Sequence, residues 1–154
     1  MRKVMGGAAA TLAVGLVTAC ASAGGPGVGS LSWNVGEATA NDAQQKTVEV
    51  LRKHFYDIER QEGPPSIYII TRWRTRVPFD DERELGVVEA RTRFIVEARR
   101  GSQQLFTVRL RAENEGRTDQ DFRPVETTPE FREYTTEVSS ELRTVLLMGI
   151  RGSG

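Results

Sequence analysis

The sequence predicts an α+β fold, a two-layer sandwich in which an antiparallel sheet of three or four strands carries two helices on one face. Two stretches near the ends of the domain place apolar residues at helical spacing, and three stretches between them alternate apolar and polar residues. Strict alternation marks a sheet buried on one side only, and a one-sided sheet with two striped helices buries its apolar surface by sharing it. The order is α-β-β-β-α, with an extra edge strand at the amino end.

That edge strand rests on Leu31, Trp33 and Val35, which alternate. The first helix is capped by Asn41 or Asp42, since Asp42 and Gln45 have capping-box spacing. Val48, Leu51, Phe55 and Ile58 form its stripe, and "QEGPPS" ends it. The first long strand turns Ile67, Ile69, Thr71, Trp73 and Thr75 inward. The second does so with Val88, Ala90, Thr92, Phe94, Val96 and Ala98, the third with Phe106, Val108, Leu110 and Ala112. "RGSQ" predicts a tight hairpin between the last two, and "PFDDERELG" an acidic loop between the first two. The last helix starts at Thr127 or Thr128 with Pro129 in its first turn. Its stripe is Phe131, Tyr134, Val138, Leu142 and Val145, and Gly149 ends it.

The 154 residues hold one such domain, over 31–150, with a short tail over 151–154. Residues 1–19 are not part of it. "MRK" and the charge-free run after it have the form of a signal peptide, too short to span a bilayer comfortably. The only cysteine, Cys20, closes "LVTAC", and "ASAGGPGVGS" over 21–30 reads as a flexible tether of at most about 35 Å.

Val17-Thr18-Ala19-Cys20 resembles the bacterial lipobox. The resemblance implies cleavage before Cys20, a diacylglycerol on its sulfur and an acyl chain such as palmitate on its new amino group. Several acyl chains on one residue make a stable membrane anchor. Ala21 stands where many inner-membrane lipoproteins have a retaining aspartate, which implies the outer membrane, facing the periplasm. A buried or free thiol is the alternative for Cys20, and it leaves the charge-free run unexplained.

Twenty-one basic and twenty-one acidic residues balance, so the basic excess of a nucleic-acid binder is missing. In "TRWRTR" the pleat turns Trp73 inward and the arginines outward. Pairing by the two connections sets Arg72 against Arg93 and Arg109, and Arg74 against Arg91 and Arg111. Like charges opposite one another destabilise a sheet. Either the acids of the loops, with Glu113, Glu115 and Glu89, neutralise these two rows, or an external anion does: a lipid phosphate, lipopolysaccharide or an acidic patch on a partner protein, held by forked guanidinium groups. Tyr68, Ile70, Ile95 and Leu105 lie at the other end of this face, either as scattered exposed side chains or as a protein contact.

Nothing in the sequence demands a reaction. The single histidine, His54, has no flagged nucleophile beside it, and zinc lacks ligands. "DDERE" and "DQD" do not have calcium-loop spacing. No cofactor is expected. "TVEVLRKHFYDIE", "IITRW" and "RTRFIVEA" resemble the helix and strands of helix-grip lipoproteins of β-barrel assembly machines. The order of elements is similar to that of the lipopolysaccharide-assembly lipoprotein. The resemblance implies a non-enzymatic envelope subunit docking on a protein partner through the open sheet face; the alternative is a binder of anionic lipid.

Overall fold

The computed structural model describes residues 28–101 and 104–152. Its strands are β1 (Ser30–Ala38), β2 (Ile58–Glu62), β3 (Ser66–Thr71), β4 (Arg74–Arg76), β5 (Glu89–Arg100), β6 (Phe106–Arg117) and β7 (Phe122–Pro124). Its helices are α1 (Ala40–Lys53), α2 (Asp80–Glu84) and α3 (Pro129–Gly152). The signal peptide, Cys20 and the tether up to residue 27 lie outside the described residues. The tether's last residue, Ser30, already belongs to β1.

The fold is the expected α+β sandwich, with a wider sheet. Its strands run β1-β6-β5-β3-β2, all paired antiparallel, with β4 added beside β5 and β7 beside β6. Ile67, Ile69, Phe94, Val96, Val108 and Leu110 turn to one face and meet Val50 and Leu51 of α1 and Phe131, Val138 and Leu142 of α3. Among the described residues no helix lies on the opposite face. The edge strand β1 is nine residues long and contributes Leu31 and Val35 to the core, with Trp33 packed against it.

Local chemistry corrects the two helix ends of α1. Its cap is Thr39, not Asn41 or Asp42: the Asp42 N–H donates to Thr39 Oγ1 at 3.2 Å, and that hydroxyl donates to Asp42 Oδ2 at 2.9 Å. The helix also stops at Lys53, before Phe55 and Ile58. The Tyr56 N–H reaches back to the Leu51 carbonyl and the Phe55 N–H to the Arg52 carbonyl, both at 2.9 Å, which is a Schellman cap. Phe55 takes its left-handed position, φ 64°, and is left exposed, while Tyr56 enters the core. Ile58 then opens β2, opposite Thr71. Helical spacing in the sequence simply ran on past the end of the helix.

At its start α3 matches expectation, since the Phe131 N–H donates to Thr128 Oγ1 at 3.3 Å and Pro129 needs no partner. It does not stop at Gly149 but runs to Gly152.

Two registers differ from those expected. β6 is displaced four residues along β5: Glu97 faces Arg109 rather than Leu105, Arg93 faces Glu113, and Arg91 faces Glu115. The hairpin is wider than "RGSQ" suggests, pairing up to Arg100 and Phe106. An even displacement keeps every side chain on its own face, so the core alone does not choose between the two. Between β3 and β4, one extra residue enters the strand. Ile70 pairs with Ile95, but Arg74 pairs with Thr92 rather than Arg91. A bulge of one residue reverses the faces after it. Trp73 and Thr75 therefore turn to the open face, and Arg74 and Arg76 to the helix side.

Arg76 becomes the counter-ion of a buried acid. Its guanidinium donates to both oxygens of Glu82 at 2.7 and 2.6 Å and to Asn114 Oδ1 at 2.9 Å. Asn114 Nδ2 and the Phe79 N–H complete the shell of Glu82, which is fully buried. Burial pushes the Glu82 pKa up, but the bonds from Arg76, Asn114 and Phe79 outweigh it and hold the carboxyl below the usual range. The acidic loop is thus pinned to β6 through α2. Gly29, at φ 76°, passes so close to Asn114 and Pro124 that a Cβ would lie 2.8 Å from each, so only glycine serves there.

Glu82→Ala leaves the largely buried Arg76 without its counter-ion and is expected to destabilise the domain by about 3 kcal/mol in urea unfolding at neutral pH. A carboxyl with a lowered folded pKa stabilises above its unfolded value and loses that stabilisation as pH falls. The gap between wild type and variant is therefore expected to narrow below about pH 4.3. Phe55→Gly suits the left-handed cap and is expected to raise stability by about 1 kcal/mol in the same assay.

Candidate functional site

The open face is the candidate site, and β5 and β6 form its middle. Alternation puts Glu89, Arg91, Arg93, Ile95 and Glu97 of β5 on this side, facing Arg117, Glu115, Glu113, Arg111 and Arg109 of β6. Four of these five pairs join opposite charges. Arg91 donates through Nε and Nη2 to Glu115 Oε2 at 2.8 and 2.5 Å. Arg93 Nε donates to Glu113 Oε2 at 2.7 Å, and Arg111 reaches the other oxygen of Glu113 at 3.5 Å. Arg117 grips Glu89 Oε2 at 2.9 and 2.6 Å. These side chains are one-fifth to about one-third exposed, so each pair contributes at most about 1 kcal/mol.

Aromatic rings fix the same guanidinium groups. Arg91 lies 4.7 Å from the Trp73 ring and 4.3 Å from Phe122, and Arg93 lies 4.4 Å from Trp73. A weakly hydrated guanidinium favours such stacking. The bulge before β4 supplies Trp73 and the short strand β7 supplies Phe122, opposite Arg117. Beside them Val28, Gly29, Trp73, Glu115 and Pro124 line a shallow cleft.

The two expected rows of arginines therefore do not form. Arg91, Arg93 and Arg111 share this face, but each faces a glutamate or an isoleucine. Arg109 faces Glu97. Arg72 is exposed in the link between β3 and β4, where its N–H donates to the Asp57 carbonyl at 2.8 Å. Arg74 sits on the helix side, donating to the His54 carbonyl at 2.8 Å and lying over Phe55 and Tyr56. Arg91 and Arg93 are neutralised internally, by strand acids, with Arg111 sharing Glu113. The loop acids act elsewhere: Glu82 on Arg76, Asp80 on Arg83, and Asp81 on the Glu130 N–H.

The apolar group also divides. Tyr68 and Ile70 are half-buried on the open face, with Arg60 above the Tyr68 ring at 5.7 Å. Ile95 is 2% exposed although no helix covers it, lying between Ile70 on β3 and Arg111 on β6. Leu105 is not with them, because the displaced hairpin carries it to a cleft with Thr39, Ala40 and Pro64. Trp73, Thr75 and Phe122 were not expected on this face. Strand alternation cannot register a bulge, but the two-residue spacing of Glu113 and Glu115 matches that of Arg91 and Arg93 and is a signal for the observed register.

His54 closes the C-terminal end of α1, and its Nε2 lies 2.8 Å from Glu141 Oε2 of α3. Lys53 Nζ donates to the other oxygen at 2.5 Å. These bonds, that of Lys53 first, hold the Glu141 carboxyl below the usual range. This is a tie between two helices. Two turns earlier on the same side of α3, Tyr134 shares a hydrogen bond of 2.5 Å with Tyr56, and burial pushes the Tyr56 phenol far above its ordinary pKa. Among the described residues no group of three His, Cys, Asp or Glu side chains could hold a metal ion.

No protein-family model matches this chain, and no curated protein is significantly similar to it.

Glu115→Arg sets two guanidinium groups opposite one another and is expected to cost about 1 kcal/mol in urea unfolding. Adding Arg91→Glu is expected to recover about half or more of that loss, a coupling that a double-mutant cycle measures.

Proposed function

We propose that this chain is a lipid-anchored protein of the bacterial cell envelope. It serves as a non-enzymatic accessory or scaffold subunit that docks on a membrane assembly through the open face of its sheet. The anchor is Cys20, in the lipobox-like Val17-Thr18-Ala19-Cys20, and the domain faces the periplasm from the outer membrane.

One observation carries the docking reading: on the face that α1 and α3 leave uncovered, Arg91, Arg93 and Arg117 are already paired with acids across the strands. A row of unpaired arginines attracts any polyanion. A face of alternating forked pairs, with Trp73, Phe122, Tyr68 and Ile70 among them, offers aromatic anchors and preset charges of both signs. Enrichment in aromatic residues and arginine is what protein interfaces show. The anionic-lipid alternative called for six arginines in two rows, and the pairing of Arg91 and Arg93 with strand acids favours docking over it.

A photo-crosslinking residue at Asn34 or Thr75, on the open face, is expected to capture a discrete protein in the native host. The same residue at Glu133 or Glu137, on the outer side of α3, is expected to capture none. Equal products from both faces, or lipid adducts alone from Asn34 and Thr75, would refute docking through the sheet.

A further inference from the structure

The antiparallel connections give the domain two ends. At one lie the start of β1, the end of α1, both ends of the β4–β5 link, the end of β6, β7 and the start of α3. Several bonds fix this arrangement: the Asn114 N–H donates to the Gly29 carbonyl, the Val88 N–H to the Arg117 carbonyl, and the Glu130 N–H to Asp81. The chain toward Cys20 leaves from this end, at Val28.

The same end gathers exposed apolar side chains. Val28 is 77% exposed, Phe55 78%, Val77 75%, Val88 63% and Leu85 51%. Each stands just outside a secondary-structure element; Val88, expected to point inward, precedes β5 and faces outward, and Val87 is buried instead. At the opposite end, only Leu147 and Met148 of α3 are comparably exposed among the described residues. Eight peptide links separate Cys20 from Val28 and span at most about 28 Å.

We infer that this end of the domain, through Val28, Phe55, Val77, Leu85 and Val88, rests on the lipid surface that holds the acyl chains. The inference builds on the anchor reading and adds an orientation to it. Apolar side chains on loops enter the headgroup boundary as amphipathic surfaces do, and the partly exposed Trp73 lies at the same end, as tryptophans at membrane interfaces do. Exposed charges around them are of both signs, Asp80, Glu84 and Asp121 against Arg72, Arg83 and Arg123. Attraction is therefore by apolar burial, not by charge. The strands stand away from the membrane, and the open face looks along it toward a neighbour.

The test uses the full lipidated chain, purified with its acyl groups verified by mass and placed in vesicles of phosphatidylethanolamine and phosphatidylglycerol at low protein density. An environment-sensitive fluorophore is attached at Val77→Cys, Leu85→Cys or Val88→Cys, with Met148→Cys as control, and near-ultraviolet circular dichroism confirms each fold. Emission is expected to shift to the blue at the first three sites, and not at the control, in low and high salt alike. Unshifted probes on an acylated, vesicle-bound chain overturn the orientation and leave the anchor standing. A shift that high salt abolishes, or that appears only at high protein density, overturns it too, in favour of charge attraction or a second copy. A chain found without acyl groups on Cys20 overturns both.

Discussion

The register of β5 on β6 is the constraint on which the rest depends. The alternation of these two strands commits Phe94, Val96, Ala98, Val108, Leu110 and Ala112 to the helices and commits a run of charges to the other side. That division leaves a choice of registers two residues apart, all with the same core. One of them opposes Arg91 and Arg93 to Arg111 and Arg109. The observed one opposes them to Glu115 and Glu113. Each pair is weak, but the difference between attraction and repulsion recurs at several positions along one ladder. The side that contributes least to burial thus selects the alignment of the side that contributes most.

The stretch "TRWRTR" shows how one inserted residue divides a sequence between two tasks. Without the bulge, Trp73 would join the core and its arginines would crowd the open face. With it, Trp73 stacks on Arg91 and Arg93 outside, while Arg76 turns inside and neutralises Glu82. Glu82 is a helix residue of a loop that has little core of its own. Its bonds to Arg76, Asn114 and the Phe79 N–H hold that loop to β6, beside the point where the chain enters at Gly29. The floor of the domain is therefore fixed by polar bonds, which leaves its apolar side chains free to face outward.

The two proposals share this geometry. A sheet with helices on one side has a bare side, and strands rising from the proposed anchored end would turn that side parallel to the membrane normal. Paired charges lose less than lone ones when a partner excludes water, because each keeps its counter-ion. The proposed docking face and the proposed membrane-facing end meet near Trp73, where the cleft beside Val28 opens.

Helical and strand spacing in the sequence were enough to establish the sandwich, the main strands β3, β5 and β6, the start of α3, and which side of each long strand is buried. Those are consequences of apolar periodicity, which is local. Spacing also led past the end of α1, because Phe55 and Ile58 continue its period, while the turn at Phe55 is decided by Tyr56 finding the core. The sequence carried the residue types of the open face as well, arginines and acids at two-residue intervals. Which arginine meets which acid, and on which side Trp73 stands, were decided only in the folded sheet. An even slip keeps the buried pattern unchanged and a single-residue bulge reverses it, and neither leaves a mark in the alternation of one strand read alone.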